Sequence, residues 1–161
     1  MSSCVFAGSF DPVTVGHMDV IGRAAAIFEK VHVTVMVNIH KQGALPADER
    51  IRLLEKACAR FDNVKVDRWE GLLAEYMREH QERILIRGVR SCSEFEHEYD
   101  SALINKKLNG EFETLLIPSD PGLAMVSSSA VREIASFGGE LKDLVPKECL
   151  KDIRIMLSKK K

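Results

Sequence analysis

The sequence predicts a single doubly wound, Rossmann-like α/β domain, a five-stranded parallel sheet with helices on both faces, and three observations carry that expectation. Short apolar runs alternate with amphipathic stretches of helical period along the whole chain. In the most regular run Val31, Val33, Val35 and Val37 are interleaved with His32, Thr34 and Met36, so both faces tolerate burial, as an interior parallel strand requires. The 161 residues are 45% hydrophobic, enough to bury one core without disulfide or metal staples. No repeat, low-complexity tract or linker divides them, so residues 1–161 read as one domain.

Residues 3–7 form the first strand, stopped by Gly8. Val20, Ile21, Ala24, Ala25 and Phe28 recur at helical spacing and lead to the second strand at 31–37. Ile51, Leu54, Ala57, Cys58 and Phe61 give the next helix, and residues 64–69 the third strand. A short helix follows on Leu72, Leu73, Tyr76 and Met77, then strands at 84–86 and 112–117 on either side of a helix at 93–108. Helices at 128–137 and about 146–159 close the chain. Such alternation implies right-handed crossovers. Phe61, Trp69 and Phe137 suit core or half-buried positions and take no cofactor role.

With 23 Lys plus Arg against 24 Asp plus Glu, the net charge of -1 gives no whole-molecule attraction to nucleic acid or membrane, so any anion site is local. Lys159, Lys160 and Lys161 read as the solvated, dipole-compatible end of a helix. Cys4, Cys58, Cys92 and Cys149 lie 54, 34 and 57 positions apart without any C-x-x-C pair, which favours free buried thiols in a reducing compartment. The N-terminus has no leader pattern and no run is apolar enough to span a bilayer, so a cytoplasmic protein is expected.

Open α/β sheets bind ligands beyond the carboxyl ends of their strands, where the winding reverses. Gly8-Ser9-Phe10-Asp11-Pro12 follows the first strand and Arg87-Gly88-Val89-Arg90 the fourth, so the two loops face each other if those strands are neighbours. The first loop is neither a Walker A element nor a G-x-G-x-x-G fingerprint, its glycines being Gly8 and Gly16. Thr14 is a helix N-cap that puts His17 at the third helical position, beside amides suited to a phosphate; the helix end disfavours the imidazolium, and a bound phosphate opposes that effect. Arg87 and Arg90 can hold two anions at once. Ser127, Ser128 and Ser129 offer hydroxyls and free amides at a helix start, with Arg132 one turn on. Lys41 lies in the loop after the second strand and alone reads as a surface lysine. Glu94, Glu96, His97 and Glu98 invite a metal reading, but no second ligand cluster accompanies them, and mixed charge beside Arg90 points to solvation or ion pairing.

The combination of Gly8-Ser9-Phe10-Asp11-Pro12, Thr14-Val15-Gly16-His17, Arg87-Gly88-Val89-Arg90, Phe95-Glu96-His97-Glu98 and Val126-Ser127-Ser128-Ser129 resembles the phosphopantetheine adenylyltransferase family of the nucleotidyltransferase superfamily, over essentially the whole chain. The resemblance implies reversible transfer of adenylate from ATP to 4'-phosphopantetheine, giving dephospho-CoA and pyrophosphate in coenzyme A synthesis. It implies His17, Lys41 and Arg90 as catalytic residues, with His17 stabilising the transition state. On the ATP side it places Ser9, Phe10, His17, Gly88, Val89, Arg90, Glu98 and the segment Leu123, Ala124, Met125, Val126, Ser127, Ser128 and Ser129; on the phosphopantetheine side, Ser9, Lys41, Leu73 and Arg87. Magnesium is expected on the substrate phosphates and water, without a protein-side-chain cage. A homohexamer is implied, with dephospho-CoA or coenzyme A as product or feedback ligand. Three positions depart from the family pattern. Ser9 replaces the usual threonine, Asn38-Ile39-His40-Lys41 the usual Asn-Pro-Ser-Lys, and Leu123 a frequent aromatic.

Two other functions compete. Another nucleotidyltransferase, cytidylyl or nicotinamide-mononucleotide type, is disfavoured by Arg87 and Arg90; a non-catalytic nucleotide or coenzyme A sensor would be marked by loss of His17, Lys41 or Arg90, all present.

Overall fold

The computed structural model describes residues 2–158, so the three terminal lysines and the last position expected for the closing helix lie outside the described residues. Five strands, β1 (Ser3–Gly8), β2 (Lys30–Val37), β3 (Val64–Glu70), β4 (Ile84–Val89) and β5 (Glu113–Pro118), form one parallel sheet in the order β3-β2-β1-β4-β5. The winding reverses between β1 and β4, which pair at Val5 with Leu85 and Phe6 with Ile86. The neighbour relation that the two candidate loops required is therefore met.

Six helices connect and cover the sheet: α1 (Val15–Ile27), α2 (Ala47–Cys58), α3 (Leu73–Glu79), α4 (Cys92–Leu108), α5 (Ser128–Ser136) and α6 (Leu150–Ser158). Strand periodicity divides the core between two faces. Phe6, Val31, Val33, Val35 and Ile86 pack with Ile21 and Ala24 of α1, Leu53 and Leu54 of α2, Val131 of α5 and Ile153 of α6. Val5, Ala7 and Leu85 point the other way, toward Ala74, Tyr76 and Met77 of α3, with Trp69 and Leu73 beside them.

Several expectations change. β4 runs on to Val89, so Arg87 and Gly88 are strand residues rather than a loop beyond Ile86: the backbone keeps pairing with Leu116 and Ile117 of β5 whatever the side chain carries. The closing helix starts at Leu150, after a turn over residues 146–149. Cys92 is exposed at the first position of α4, whereas Cys4, Cys58 and Cys149 are buried. Burial, with the Glu82 carboxylate adding to it, pushes the Cys4 thiol up to about 12, and burial raises Cys58 and Cys149 to about 11. Phe61 and Trp69 pack partly against the core as expected, but Phe137 is 86% exposed because it caps α5 where the chain turns away. His32 is buried on the α3 face with Nδ1 2.8 Å from Asp67 Oδ2 and Nε2 3.4 Å from Glu82 Oε1, and Tyr76 donates to the same Asp67 carboxylate at 3.2 Å.

Candidate active site

A cavity of about 410 Å³ opens at the carboxyl edge of the sheet, over the reversal between β1 and β4. Its floor is the turn after β1. Phe10 sits there at φ 46 with its ring buried, edge-on to Phe6 at 5.4 Å and to His17 at 5.0 Å between centroids. A left-handed conformation in a bulky residue is costly and persists only where packing dictates it. Gly8 makes room for that ring, since a Cβ there would lie 3.3 Å from the Phe10 side chain.

The cap of α1 fixes His17. Thr14 Oγ1 accepts from the His17 backbone N–H at 3.3 Å, and the Thr14 N–H donates to His17 Nδ1 at 3.0 Å. This is a capping box with histidine in the place of the usual glutamate. Because Nδ1 must accept, the neutral ring carries its proton on Nε2, the nitrogen left for the cavity. Burial first, then the charges of Arg90 and Arg87, pull the His17 pKa from 6.5 to about 4.

The other side of the cavity is built on β4 and α4. Arg87 donates from Nε and Nη2 to both Glu98 oxygens, at 2.7 and 2.6 Å, and from Nη1 to the Ala7 carbonyl of β1. Arg90 donates from Nη1 to the Val126 carbonyl at 2.7 Å, while its backbone N–H, Nε and Nη2 all face the Glu94 carboxylate. Burial opposes ionisation of Glu94, but the hydrogen bonds and charge of Arg90 prevail and hold its carboxyl below the usual range. Glu94 and Glu98, one turn apart on α4, thus hold the two guanidinium groups over the cavity. The ion pairing expected of the acidic cluster is realised at these two residues.

The third wall is the start of α5. Ser127 is its N-cap, accepting from the Ala130 N–H at 3.0 Å, and Ser128 donates to the Pro12 carbonyl at 2.8 Å. Arg132 donates to the Asp11 carbonyl at 2.6 Å and to Ser129 Oγ at 3.0 Å.

The structure thus gathers Ser9, Phe10, His17, Arg87, Gly88, Arg90, Glu98, Val126, Ser127, Ser128 and Ser129 around one cavity. Leu73 lies instead on a smaller cavity of about 190 Å³ between α3 and α4, which shares Arg87 and Glu98 with the larger one. Val89 ends β4 beside Pro118, and Leu123 closes a short 3-10 helix, Pro121–Leu123, just before Val126; neither lines the main cavity, nor does Ala124, and Met125 is 89% exposed. Lys41 is exposed in the loop after β2, outside the cavity wall. Arg132, read with the serines at the start of that helix, lines the cavity as well, and Glu94, His97 and Ser119 line it although they were not among the expected contacts. The spacing of four between Arg90 and Glu94 carried that signal, as did the position of Ser119 just past the fifth strand.

Among the described residues no three His, Cys, Asp or Glu side chains gather as a metal-binding group, and the two cavity carboxylates are committed to arginines. A magnesium ion held by the protein alone does not fit this donor set.

A sequence profile described as cytidylyltransferase-like matches residues 5–134. A phosphopantetheine adenylyltransferase of Clostridium perfringens is 44% identical over 96% of this chain and 94% of its own length. That of Finegoldia magna is 45% identical over 93% of each chain, and that of Clostridium botulinum 39% identical over 100% and 98%. A Vibrio parahaemolyticus structure assigned as a nicotinate-nucleotide adenylyltransferase superposes with a TM-score of 0.70 over 100% of this chain and 98% of that one; at 14% identity it speaks for the fold alone.

Proposed function

Because the chain belongs to the cytidylyltransferase-like family and, within it, to the phosphopantetheine adenylyltransferases, we propose a role for each group of its site in one reaction. The enzyme transfers the adenylyl group of ATP to 4'-phosphopantetheine, releasing pyrophosphate and dephospho-CoA. A phosphate oxygen of the acceptor attacks the α-phosphorus of ATP, and the bond to the bridging oxygen of the β-phosphate breaks. With a second pKa of about 6, the attacking phosphate is largely ionised at neutral pH and needs no general base. Positioning and charge stabilisation then carry the rate.

The observation that supports this reading best is the hydrogen bond from the Thr14 N–H to His17 Nδ1. The Thr14 amide fixes Nδ1 as acceptor, so Nε2–H is a preoriented donor for the charge that develops on the α-phosphoryl oxygens. Ser9, the amide of Phe10 and the Ser127–Ser129 amides and hydroxyls take the ATP phosphates in our assignment, with Arg90, Gly88, Val89 and Glu98 on the same nucleotide. The segment Leu123, Ala124, Met125 and Val126 flanks it. Arg87 and Lys41 take the acceptor phosphate, with Ser9 between the two substrates, and the groove of Leu73 takes the pantetheine arm. Magnesium is assigned to the ATP phosphates as part of the substrate, and no step is routed through a protein-bound ion.

Dephospho-CoA and coenzyme A, which share the acceptor's arm, are proposed as product and feedback ligand. A homohexamer in the cytoplasm completes the reading: α4 has no buried residue, although Phe95, Tyr99, Leu103, Ile104 and Leu108 project from it. Among the described residues no helix is long and apolar enough to cross a membrane.

Pyrophosphate release, measured with ATP or CTP against a panel of phosphorylated acceptors, tests the function. Turnover is expected with ATP and phosphopantetheine; equal turnover with the other acceptors, or with CTP, would refute the assignment.

A further inference from the structure

We infer that Asp11 is a positioning residue that locks the loop carrying Lys41 to the phosphate-facing turn after β1, so that the acceptor side of the site is set by the donor side. The inference rests on the proposed role of Lys41. Asp11 is 8% exposed, and both its carboxylate oxygens are spent on successive amides of one loop: Oδ2 accepts from Ala44 N–H at 2.6 Å and Oδ1 from Leu45 N–H at 2.7 Å. Lys41 lies three residues before Ala44, on a turn in which the His40 and Lys41 amides both donate to Asn38. The Asp11 carboxylate anchors the C-terminal base of the loop that this turn belongs to.

The turn after β1 that carries Asp11 is itself held from two more directions. Arg50 of α2, 7% exposed, donates from Nη1 to the Ser9 carbonyl at 2.9 Å, and Arg132 of α5 donates to the Asp11 carbonyl at 2.6 Å. The Arg50 Nε has no partner among the described residues, and the side-chain hydrogen bond that Arg50 does make goes to this turn. Gly43 leaves space for the clasp: a Cβ there would stand 3.1 Å from Asp11 Oδ2, 3.0 Å from the Leu45 carbonyl and 3.6 Å from Arg50 Nη2. A small displacement of a positioning group can cost orders of magnitude in rate, so a clasp at the base of the Lys41 loop has kinetic weight.

The test is a double-mutant cycle with Asp11→Asn and Lys41→Ala, read as KM for each substrate and kcat, together with hydrogen exchange of the Ala44 and Leu45 amides. Asp11→Asn is expected to raise KM for phosphopantetheine about tenfold, to leave KM for ATP within about twofold, and to lower the protection of at least one of the two amides, since one acceptor oxygen becomes a donor. In the Lys41→Ala background the same substitution is expected to change KM by less than about twofold, because the group being positioned is gone. Equal effects in both backgrounds, or a parallel rise in both KM values, would show general structural damage and overturn the inference. If Asp11→Asn does not fold, Gly43→Ala perturbs the clasp from the loop side and must give the same split. Wild-type protein inactive toward phosphopantetheine would remove the functional reading itself. Active wild type with a Lys41→Ala defect but an unaffected Asp11→Asn variant would remove only the clasp.

Discussion

At His17 the helix cap and the cavity donor are one ring, and this governs what substitution there can reveal. His17→Ala removes both the Nε2–H donor and the acceptor for the Thr14 amide, while Thr14 still caps from its own hydroxyl. Turnover is expected to fall by about 10²–10³, the usual loss for one oriented charge stabiliser, with circular dichroism unchanged; steady-state kinetics checks it. A pH effect on stability follows from the same ring. Its pKa is about 4 when folded and about 6.5 when unfolded, so between these values only the unfolded chain takes up the proton. Stability therefore rises with pH from about 4 to 6.5, is complete above that, and is lost as pH falls through the window. Urea titrations across this range should show a shallower slope for His17→Gln. The neutral, cap-bound state was partly legible in the sequence, where Thr14 and His17 stand three apart; the contribution of Arg87 and Arg90 was not, because it depends on side-chain geometry across the sheet.

α4 bears on two faces at once. Its first turns supply Glu94 and Glu98 to the arginines of β4, and its later turns present Leu103, Ile104 and Leu108 to solvent. Glu94→Gln keeps the shape but removes the charge from a fork that takes three N–H groups of Arg90. The loss should be about 1 kcal/mol, seen as a roughly fivefold rise in KM for ATP with a smaller change in kcat. The helix was plain from its position between two strands, but its exposure was not, since apolar and charged residues are spread around it. β4 shows the converse. Charge at Arg87 suggested that the strand had ended, yet pairing with β5 needs only backbone, and the guanidinium finds Glu98 on the covered face. Phe137 fell outside the expected core for a similar reason: a hydrophobic residue at a helix end goes where the chain turns.

Across the whole molecule, the parallel five-stranded sheet followed from alternation, while the meeting of the two loops at one crevice hung on β1 and β4 being neighbours, a strand order that only the structure supplies. What the sequence withheld was the lateral bracing, in which Arg50 and Arg132 hold the turn after β1 through the Ser9 and Asp11 carbonyls, which no pattern announces. The outward stripe of α4, with Phe95 and Tyr99 stacked at 6.3 Å between ring centroids, is the surface we propose for the assembly. Leu103→Glu is expected to lower the mass measured by light scattering from hexamer to smaller species. The site draws on β1, β4 and the start of α5, and its cradle hangs from the strand at the centre of the sheet. A site hung on the middle strand cannot outlast the sheet, whatever its loops do locally. In urea, activity should therefore be gone by the point at which the secondary structure is lost, and residual rate beyond that transition would count against the placement of the site on β1.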